Sequence, residues 1–363
     1  MLQKIKQLAA GLALAAPLLA TAGPFSTMYV FGDSLVDAGN TVAILASQGL
    51  DRPFPFAGPY LGGRFSNGPL WVDGLAASLG LPPITTASAF FQGGNNFAFA
   101  GSQVSDPTLD GLPPALAQVI FNRQLLNPFV PGVAITSFDP NALFVVTAGG
   151  NDLRNALSAP GGATPLSIAQ AAGHAVAGLY ATVGYLAQHG AQHILISNLP
   201  DIGLTPEATL ANFFNPGAKA AASAAAALFN AILDPLAPGF RSLGIDVQEL
   251  DMWGIANRVL TNPAAYGITN LTLPCDGFAG SNGLGYIVFD PTNLSGNLFT
   301  GPDATACSAS AFSDILHPSA IMHAAFAAEA FLLVPEPDGL ALFGLALVGL
   351  VWSQRGKLVA RAV

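Results

Sequence analysis

The chain has 363 residues, of which 52% are hydrophobic and only 9% are charged, a composition that supports one large domain with an ample core. Its formal net charge is −9, and the acidic excess is larger in residues 23–334, where 7 Lys and Arg oppose 19 Asp and Glu. So acidic a surface repels phosphate backbones, which argues against nucleic acid as a partner.

The first 22 residues are predicted to be a secretory signal peptide. Lys4 and Lys6 precede an apolar run, and the run ends in small residues at 20–22 that are typical of a cleavage site before Gly23. An uncleaved membrane anchor is the alternative, but the apolar run is short for a bilayer crossing. The remainder of the chain is therefore expected to leave the cytoplasm.

Residues 23–334 are predicted to form one α/β domain, because short apolar runs alternate with Ala-rich helical stretches. Strands are predicted at 27–31, 96–99, 142–147, 193–198 and 245–249, and helices at 165–188 and 217–233. This rhythm predicts three layers, with a mostly parallel five-stranded sheet covered by helices on both faces. The stretches 51–68 and 262–312 are rich in Gly, Pro, Asn and Ser and predict long loop insertions.

The sequence FGDSLVDAGN at 31–40 follows the first predicted strand directly. A helix that began at this point would leave N–H groups unpaired beside Ser34, a setting that favours negative charge. Ser34 is therefore a nucleophile, or else Ser34 or Asp33 is only a helix N-cap. Gly101 and Asn151 follow the next two predicted strands. Because the carboxyl ends of parallel strands meet at one edge of the sheet, we expect these residues to lie near Ser34.

Six motifs occur in an order that is typical of one hydrolase family. They are FGDSLVDAGN, GGRFSNGPLWVDGLA, NFAFAGS, AGGND, SNLPDIGLTPEA and D-x-x-H-P. In these motifs the chain resembles the GDSL family, also called SGNH hydrolases, whose sheet is flavodoxin-like. The resemblance implies Ser34 as nucleophile, Asp314 and His317 as the rest of a triad, and Ser34, Gly101 and Asn151 as the oxyanion hole. It implies neither a cofactor nor a metal.

The chemistry requires these residue types. A serine hydroxyl is a poor nucleophile unless an imidazole accepts its proton, and the imidazole needs an acceptor that fixes its tautomer. The tetrahedral intermediate needs hydrogen-bond donors aimed at its negative oxygen. Ser313 departs from the family pattern, which usually has an aromatic residue before the aspartate, and Leu199-Pro200-Asp201 varies another motif. Both departures concern the substrate pocket more than the reaction.

Several other polar residues have structural alternatives to a role at the site. His323 is the rival base, but helical spacing turns it away from His317. His189 and His193 are interpreted as structural, because Gly190 separates them at a predicted helix end. Asp37 and Asn40 are either substrate contacts or hydrogen-bonding partners of solvent or a loop, and the sequence does not choose between these roles. Residues 64–67 are interpreted as supports of the following loop, with a substrate contact as the alternative, and Asp152 as a residue that orients its loop, with a chemical role as the alternative.

Residues 335–363 are predicted to be a sorting tail. A Pro-Glu-Pro motif precedes an apolar run at 339–352, and basic residues follow at Arg355, Lys357 and Arg361, a pattern that holds a tail on the cytoplasmic side. It resembles the PEP-CTERM sorting signals of Gram-negative bacteria. That resemblance implies a sorting protease as a partner, transient inner-membrane anchoring, and a periplasmic, outer-surface or secreted product. A buried C-terminal helix is the alternative.

The two cysteines, Cys275 and Cys307, are expected to pair in an oxidising compartment, with metal binding as the alternative. The sequence as a whole predicts an exported serine esterase or lipase that hydrolyses carboxylic esters through an acyl-enzyme, with a lipidic or short-chain acyl ester as substrate. Phenylalanines at 54, 56, 90 and 91 would suit an apolar acyl site and would equally suit the core. Two alternatives stay open, namely a polysaccharide O-deacetylase of the same fold and a non-catalytic surface binding protein.

Overall fold

A parallel four-stranded sheet forms the centre of the computed structural model, which describes residues 25–47, 62–86, 94–104, 137–159, 162–274 and 307–334. The strands lie side by side in chain order: β1 (Met28–Gly32), β2 (Leu143–Thr147), β3 (His193–Ser197) and β4 (Asp246–Leu250). Each lies within one residue of a predicted strand. Every pairing is parallel, so the carboxyl ends of all four strands lie at one edge of the sheet.

The remaining predicted strand, at 96–99, is an irregular segment beside β1. The N–H of Phe97 donates to the carbonyl of Val30 at 2.7 Å, and the N–H of Phe99 donates to that of Gly32 at 3.1 Å. One parallel bridge joins this segment to β1. With the segment counted, the strand order is 2-1-3-4-5, the flavodoxin-like order. The predicted α/β fold with a parallel sheet is confirmed.

Helices cover both faces of the sheet. In chain order they are α1 (Asn40–Ser47), α2 (Trp71–Ser78), α3 (Gly150–Leu157), α4 (Pro165–Gln188), α5 (Pro206–Phe214), α6 (Ala218–Leu233), α7 (Leu236–Arg241), α8 (Met252–Thr261) and α9 (Ala320–Leu333). The two predicted helices correspond to α4 and α6. The hydroxyl of Thr164 accepts the N–H of Ser167 at 3.0 Å, and Pro165 occupies the first position of α4, which together begin the helix.

Two hydrophobic cores lie on opposite faces of the sheet because side chains alternate along each strand. Phe144 and Val146 of β2 join the core beneath α3, α4 and α6, while Leu143 and Val145 join the core beneath α2, α8 and α9. All of β2 is buried. This burial explains why the strand reads as a continuous apolar run without polar alternation.

The stretch predicted as a loop at 262–312 contains regular structure at both of its ends. β5 (Asn270–Pro274) and β6 (Ser310–Phe312) form a separate two-stranded parallel sheet. Residues 275–306 lie outside the described residues. Cys307 is disulfide-bonded, and Cys275, the only other cysteine in the sequence, lies outside the described residues.

Of the described part of the chain, only Ala218–Arg241 is long and apolar enough to cross a membrane by length and composition. This stretch comprises α6 and α7. Its Ala225, Ala226 and Phe229 are buried in the core that it shares with α4. Its apolar face is therefore occupied by protein, as in the core helix of a globular domain.

Gly149 sits between β2 and α3, where the backbone has a φ of +112°. A Cβ added there would lie 2.4 Å from Cε2 of Phe229, which is fully buried. Only glycine combines this backbone conformation with so close an approach. Gly150, the next residue, offers a contrast, since a Cβ there would lie 3.8 Å from Leu199.

We expect Gly149→Ala to lower the free energy of unfolding by about 2 kcal/mol or more, through backbone strain and overpacking against Phe229. The matched Gly150→Ala variant should be neutral or slightly more stable, because alanine favours a helix over glycine. Urea denaturation of both variants measures the difference. Equal stability of the two variants would contradict the packing described for Gly149.

Candidate active site

Ser34 lies in a tight turn at the carboxyl end of β1. The turn is fixed by Asp33, whose N–H donates to the carbonyl of Thr147 at 3.2 Å and whose carboxylate accepts the N–H of Leu35 at 3.0 Å. The expected helix does not begin here, since α1 begins at Asn40. The prediction of a helix start at Ser34 is therefore wrong. Its physical reason is that the Asp33 carboxylate closes a local turn before helical bonds can form.

Asp37 takes the capping position that the sequence suggested for Ser34. Its carboxylate accepts the N–H groups of Asn40 at 2.7 Å and Thr41 at 3.2 Å at the start of α1. It also accepts the N–H of Ala100 at 3.1 Å. Ser34 is therefore not the N-cap of α1, and its hydroxyl bonds His317 instead.

A continuous chain of hydrogen bonds joins Ser34, His317 and Asp314. Ser34 Oγ lies 2.8 Å from His317 Nε2, and His317 Nδ1 lies 2.6 Å from Asp314 Oδ2. Because an ionised carboxylate only accepts, the geometry assigns the imidazole proton to Nδ1 and makes Nε2 the acceptor for the serine hydroxyl. The structure thus brings together the three residues that the sequence singled out.

Asp314 and His317 are held in a second tight turn. The other carboxylate oxygen of Asp314 accepts the N–H groups of Leu316 and His317, each at 2.6 Å. The side chains of Asp314 and His317 are only 5% and 12% exposed. The ring of Phe65 packs against the imidazole, with 5.1 Å between the ring centroids. The imidazole therefore has a fixed plane and a fixed tautomer.

Ser313, the departure from the family pattern, fastens this turn to residues 64–67. Its hydroxyl accepts the N–H of Asn67 at 3.0 Å and lies 3.0 Å from Asn67 Oδ1. Asn67 Oδ1 also accepts the N–H of Ala320 at 2.8 Å, at the start of α9. A small hydroxyl side chain thus provides hydrogen bonds that an aromatic residue could not provide here. The interpretation of Asn67 as a loop support is confirmed.

Asn151, in the first turn of α3, lies in the same cavity as Ser34. Its side-chain amide donates to the carbonyl of Ser102 at 3.0 Å, and its Oδ1 accepts from Arg154 Nη1 at 3.4 Å. Gly101 lies in an exposed turn with a φ of +80°. Of the two expected oxyanion residues beyond Ser34, Asn151 is among the described residues that line the cavity, and Gly101 is not.

The segment at 95–104 that carries Gly101 is fastened by buried polar side chains. Asn40 donates to the carbonyls of Asn96 and Ala98, each at 2.9 Å. Both oxygens of Asp152 accept the N–H of Val104 at 3.1 Å. Of the two roles left open for Asn40, these bonds show the loop partner, and the interpretation of Asp152 as a residue that orients its loop is confirmed.

The cavity has a volume of about 690 Å³ including its open mouth, and its lining combines polar and apolar residues. The polar residues include Ser34, Asn151 and Arg154. The apolar wall comes from α8, α9 and β6, through Ala256, Leu260, Phe312, Met322 and Phe326. The phenylalanines expected to line an acyl site, at 54, 56, 90 and 91, lie outside the described residues.

The sequence did not predict that two charged residues, Asp33 and Arg154, line the cavity. Asp33 is buried, and burial raises the pKa of its carboxyl to about 6. Arg154 lines the cavity three residues after Asn151. Both residues belong to sequence motifs, Asp33 to FGDSL and Arg154 to AGGNDLR. No periodicity in the sequence, however, indicates that their side chains face a cavity.

The competing histidines have other partners. His323 is buried, and its Nδ1 accepts the N–H of Trp71 at 3.2 Å. Nδ1 of His189 bonds the carbonyl of Tyr185 at 2.8 Å, whereas Nδ1 of His193 bonds Asp246 at 3.1 Å. Nδ1 of each of these three histidines therefore has a hydrogen-bond partner within the fold. Among the described residues, no group of His, Cys, Asp and Glu could hold a metal ion.

A serine, a histidine and an aspartate in hydrogen-bonded sequence, at the carboxyl edge of a parallel α/β sheet, form the arrangement typical of serine hydrolases. The family model described as GDSL-like Lipase/Acylhydrolase matches residues 28–330. The chain belongs to this family. A second model, the PEP-CTERM protein-sorting motif, matches residues 333–355 and indicates export through that sorting system.

Curated relatives resemble nearly the whole chain. An uncharacterized protein in the trpE-trpG intergenic region of Pseudomonas putida is 28% identical over 92% of this chain and 52% of its own length. Esterase EstA of Pseudomonas aeruginosa is 30% identical over 89% of this chain and 49% of its own length. A phosphatidylcholine-sterol acyltransferase of Aeromonas hydrophila is 27% identical over 84% of this chain and 89% of its own length. The chain thus spans about half the length of the first two.

The buried His323 generates a prediction about stability and pH. Burial lowers the pKa of His323 to about 3, whereas the unfolded value is about 6.5. Between these values the unfolded chain binds a proton that the folded protein does not bind. The contribution to stability is therefore complete above pH 6.5 and is lost progressively as the pH falls towards 3.

His323→Asn keeps an acceptor near the N–H of Trp71 and removes the titration. We expect the wild type to lose roughly 2 kcal/mol more than this variant between pH 7 and pH 5, from the linkage relation. Urea denaturation at both pH values provides the measurement. Asp33 titrates in both proteins, so its effect cancels in the comparison. Identical pH dependence in the two proteins would contradict a buried neutral His323.

Proposed function

We propose that the protein is an exported serine esterase or lipase that hydrolyses carboxylic ester bonds through a Ser34, His317 and Asp314 triad and an acyl-enzyme intermediate. The observation that carries the proposal is the continuous hydrogen-bonded chain, with 2.8 Å from Ser34 Oγ to His317 Nε2 and 2.6 Å from His317 Nδ1 to Asp314. The name of the EstA relative, an esterase, supports the same class of reaction.

In the first half of the proposed reaction, His317 Nε2 takes the hydroxyl proton of Ser34 while Oγ attacks the ester carbonyl carbon. The tetrahedral intermediate collapses when the imidazolium gives that proton to the leaving alkoxide, which departs as an alcohol. The acyl group is then held on Ser34. Water attacks this acyl-enzyme with the same imidazole as base, and the acid and free Ser34 are released.

Two carboxylates interact with His317 at the proposed site. Asp314 accepts the Nδ1 proton directly, at 2.6 Å. The Asp33 carboxyl, whose pKa burial raises to about 6, is mostly ionised at pH 7 and interacts electrostatically with His317. The carboxylate of Asp314, which bonds the imidazole directly, and the more distant charge of Asp33 would both stabilise the positive charge that His317 acquires in the transition state.

The negative oxygen of the intermediate would be met by the amide of Asn151 and by the N–H of Ser34, since both residues line the cavity. The N–H of Gly101, which lies outside this lining, is proposed as a third donor on the family pattern alone. Asn151 Nδ2 carries two hydrogens, of which one is directed to the carbonyl of Ser102 at 3.0 Å. The second can serve the oxyanion. Loss of one such donor typically raises the barrier by about 2.7–4 kcal/mol.

The apolar wall formed by α8, α9 and β6 supports an ester with a hydrocarbon group, lipidic or short-chain, as the substrate class. An acetylated polysaccharide would leave this wall without an apolar partner, so the cavity disfavours an O-deacetylase. The complete hydrogen-bonded triad also favours an enzyme over a non-catalytic surface binding protein.

The two ends complete the proposal. Residues 1–22 would be removed on export, residues 23–334 would form the hydrolase domain, and residues 335–363 would anchor the chain transiently in the inner membrane until a sorting protease acts on them. The match of residues 333–355 to the sorting motif supports this order of events. Intact mass of the protein from its native host tests the removal of both ends.

The nucleophile can be tested by kinetics. Ser34→Ala should fold with near wild-type melting and lose at least about three orders of magnitude in ester turnover, because the alanine variant cannot form an acyl-enzyme. His317→Ala should lose a similar factor, since triad members act as a unit. Asp314→Ala should lose less, because water can still orient the imidazole.

Ser26→Ala serves as the control, since the hydroxyl of Ser26 is exposed and bonds Asp139 at 2.6 Å, away from the cavity. Its turnover should equal that of the wild type. Turnover that persisted in Ser34→Ala would refute the proposed nucleophile.

A further inference from the structure

Arg154 and Glu207 connect Asn151 with the turn that carries Asp314 and His317. The guanidinium of Arg154 forms two parallel hydrogen bonds to the carboxylate of Glu207, with Nε to Oε2 at 2.8 Å and Nη2 to Oε1 at 2.5 Å. Its third nitrogen, Nη1, donates to Asn151 Oδ1 at 3.4 Å. Arg154 thus meets a carboxylate and an amide oxygen at the same time, in the fork geometry that arginine favours.

Glu207 reaches the turn that carries His317. It lies in the first turn of α5, and its backbone N–H donates to the carbonyl of Ile315 at 2.7 Å. Ile315 lies between Asp314 and His317 in the sequence. A short path of hydrogen bonds therefore runs from Asn151 through Arg154 and Glu207 to the triad turn.

We propose that Arg154 is a positioning residue for the amide of Asn151, and that Glu207 fixes Arg154 relative to the triad turn. This role rests on the proposed function, since Asn151 matters here as a donor to the oxyanion. Arg154 does not contact the reacting atoms. It acts through the orientation of the Asn151 side chain.

The physical reason is that an asparagine amide has two orientations that differ by a half-turn. The carbonyl of Ser102 only accepts, and the guanidinium of Arg154 only donates, so together the two partners select one orientation. In that orientation the oxygen of Asn151 points to Arg154 and its nitrogen to Ser102. The positive charge beside the amide oxygen also polarises the amide, which strengthens its N–H groups as donors.

The Arg154–Glu207 pair contributes little to stability. The side chains are 35% and 33% exposed, and solvent screens much of the attraction in ion pairs that are exposed to this extent. A loss of Arg154 should therefore appear in the turnover number and not in folding. The rival role, direct binding of an anionic group of the substrate by Arg154 in the cavity, would instead raise KM.

The test measures kcat and KM of the full chain with a neutral substrate, p-nitrophenyl butyrate. Arg154→Met should lower kcat by about 10- to 100-fold, as displaced supporting groups typically do, and leave KM within about twofold. Arg154→Lys should recover only part of the loss, because a lysine ammonium cannot form the fork. Melting curves check that each variant is folded.

A matched control removes an arginine–glutamate pair of the same kind at another place. Arg258 on α8 bonds Glu329 on α9 at 2.6 Å, with side chains 53% and 44% exposed. Arg258→Met should leave kcat and KM unchanged. Should Arg154→Met fail to fold, Glu207→Gln gives the same test, because it removes the charge that holds Arg154 and should also lower kcat.

The decisive comparison repeats Arg154→Met in the Asn151→Ala background. If Arg154 acts through Asn151, the second substitution should lower kcat by no more than about twofold beyond Asn151→Ala alone. A full additional loss, an unchanged kcat in Arg154→Met, or a raised KM with unchanged kcat would each overturn the positioning role. Any of these three results would leave the proposed function intact, provided that Ser34→Ala is inactive. A wild type that hydrolyses no ester would overturn both the proposed function and the positioning role.

Discussion

The hydrogen bond from Ser34 to His317 joins residues that are 283 positions apart in the chain. Neither residue reaches the other through local structure, because Ser34 follows the first strand and His317 precedes α9. The bond therefore requires two turns held at a fixed separation. The sheet holds the first turn, through the bond from the N–H of Asp33 to Thr147 on the neighbouring strand. The packing of α9 against α2 holds the second.

Both turns use an aspartate to fold the chain that follows it. Asp33 accepts the N–H of Leu35 and so fixes the backbone around Ser34. Asp314 accepts the N–H groups of Leu316 and His317 and then bonds the imidazole with its second oxygen. A local turn made by one carboxylate thus sets the direction of each candidate reactive group. This preorganisation fixes the groups before any substrate binds.

The sequence predicted the parts of the fold that depend on burial and on chain punctuation. β2 and β3 are nearly continuous apolar runs because a parallel sheet is covered on both faces, and the polar residues that follow the strands fall at one edge of the sheet. Ser34, Asn151 and His317 could be singled out because each follows or precedes a regular element in a recognisable motif. Their mutual distances could not be derived, since they depend on packing between elements.

Three features of the structure could not be predicted from the sequence, each for a physical reason. A turn follows β1 in place of a helix start because the carboxylates of Asp33 and Asp37 accept backbone N–H groups between residues 35 and 41. The contact between Arg154 and Glu207 spans 53 positions, and such a pair leaves no periodicity in the sequence. The strands β5 and β6 pair across a long Gly-rich and Asn-rich stretch whose composition indicates only a loop.

The most direct test of the account is covalent labelling of the intact protein with a fluorophosphonate, followed by peptide mass analysis. This reagent reacts with a serine whose hydroxyl is activated by a neighbouring base, and its adduct resembles the tetrahedral intermediate. The account predicts one adduct, on the peptide that contains Ser34, and its loss when His317 is replaced by alanine. An adduct on another serine, or no adduct in a protein that hydrolyses esters, would contradict it.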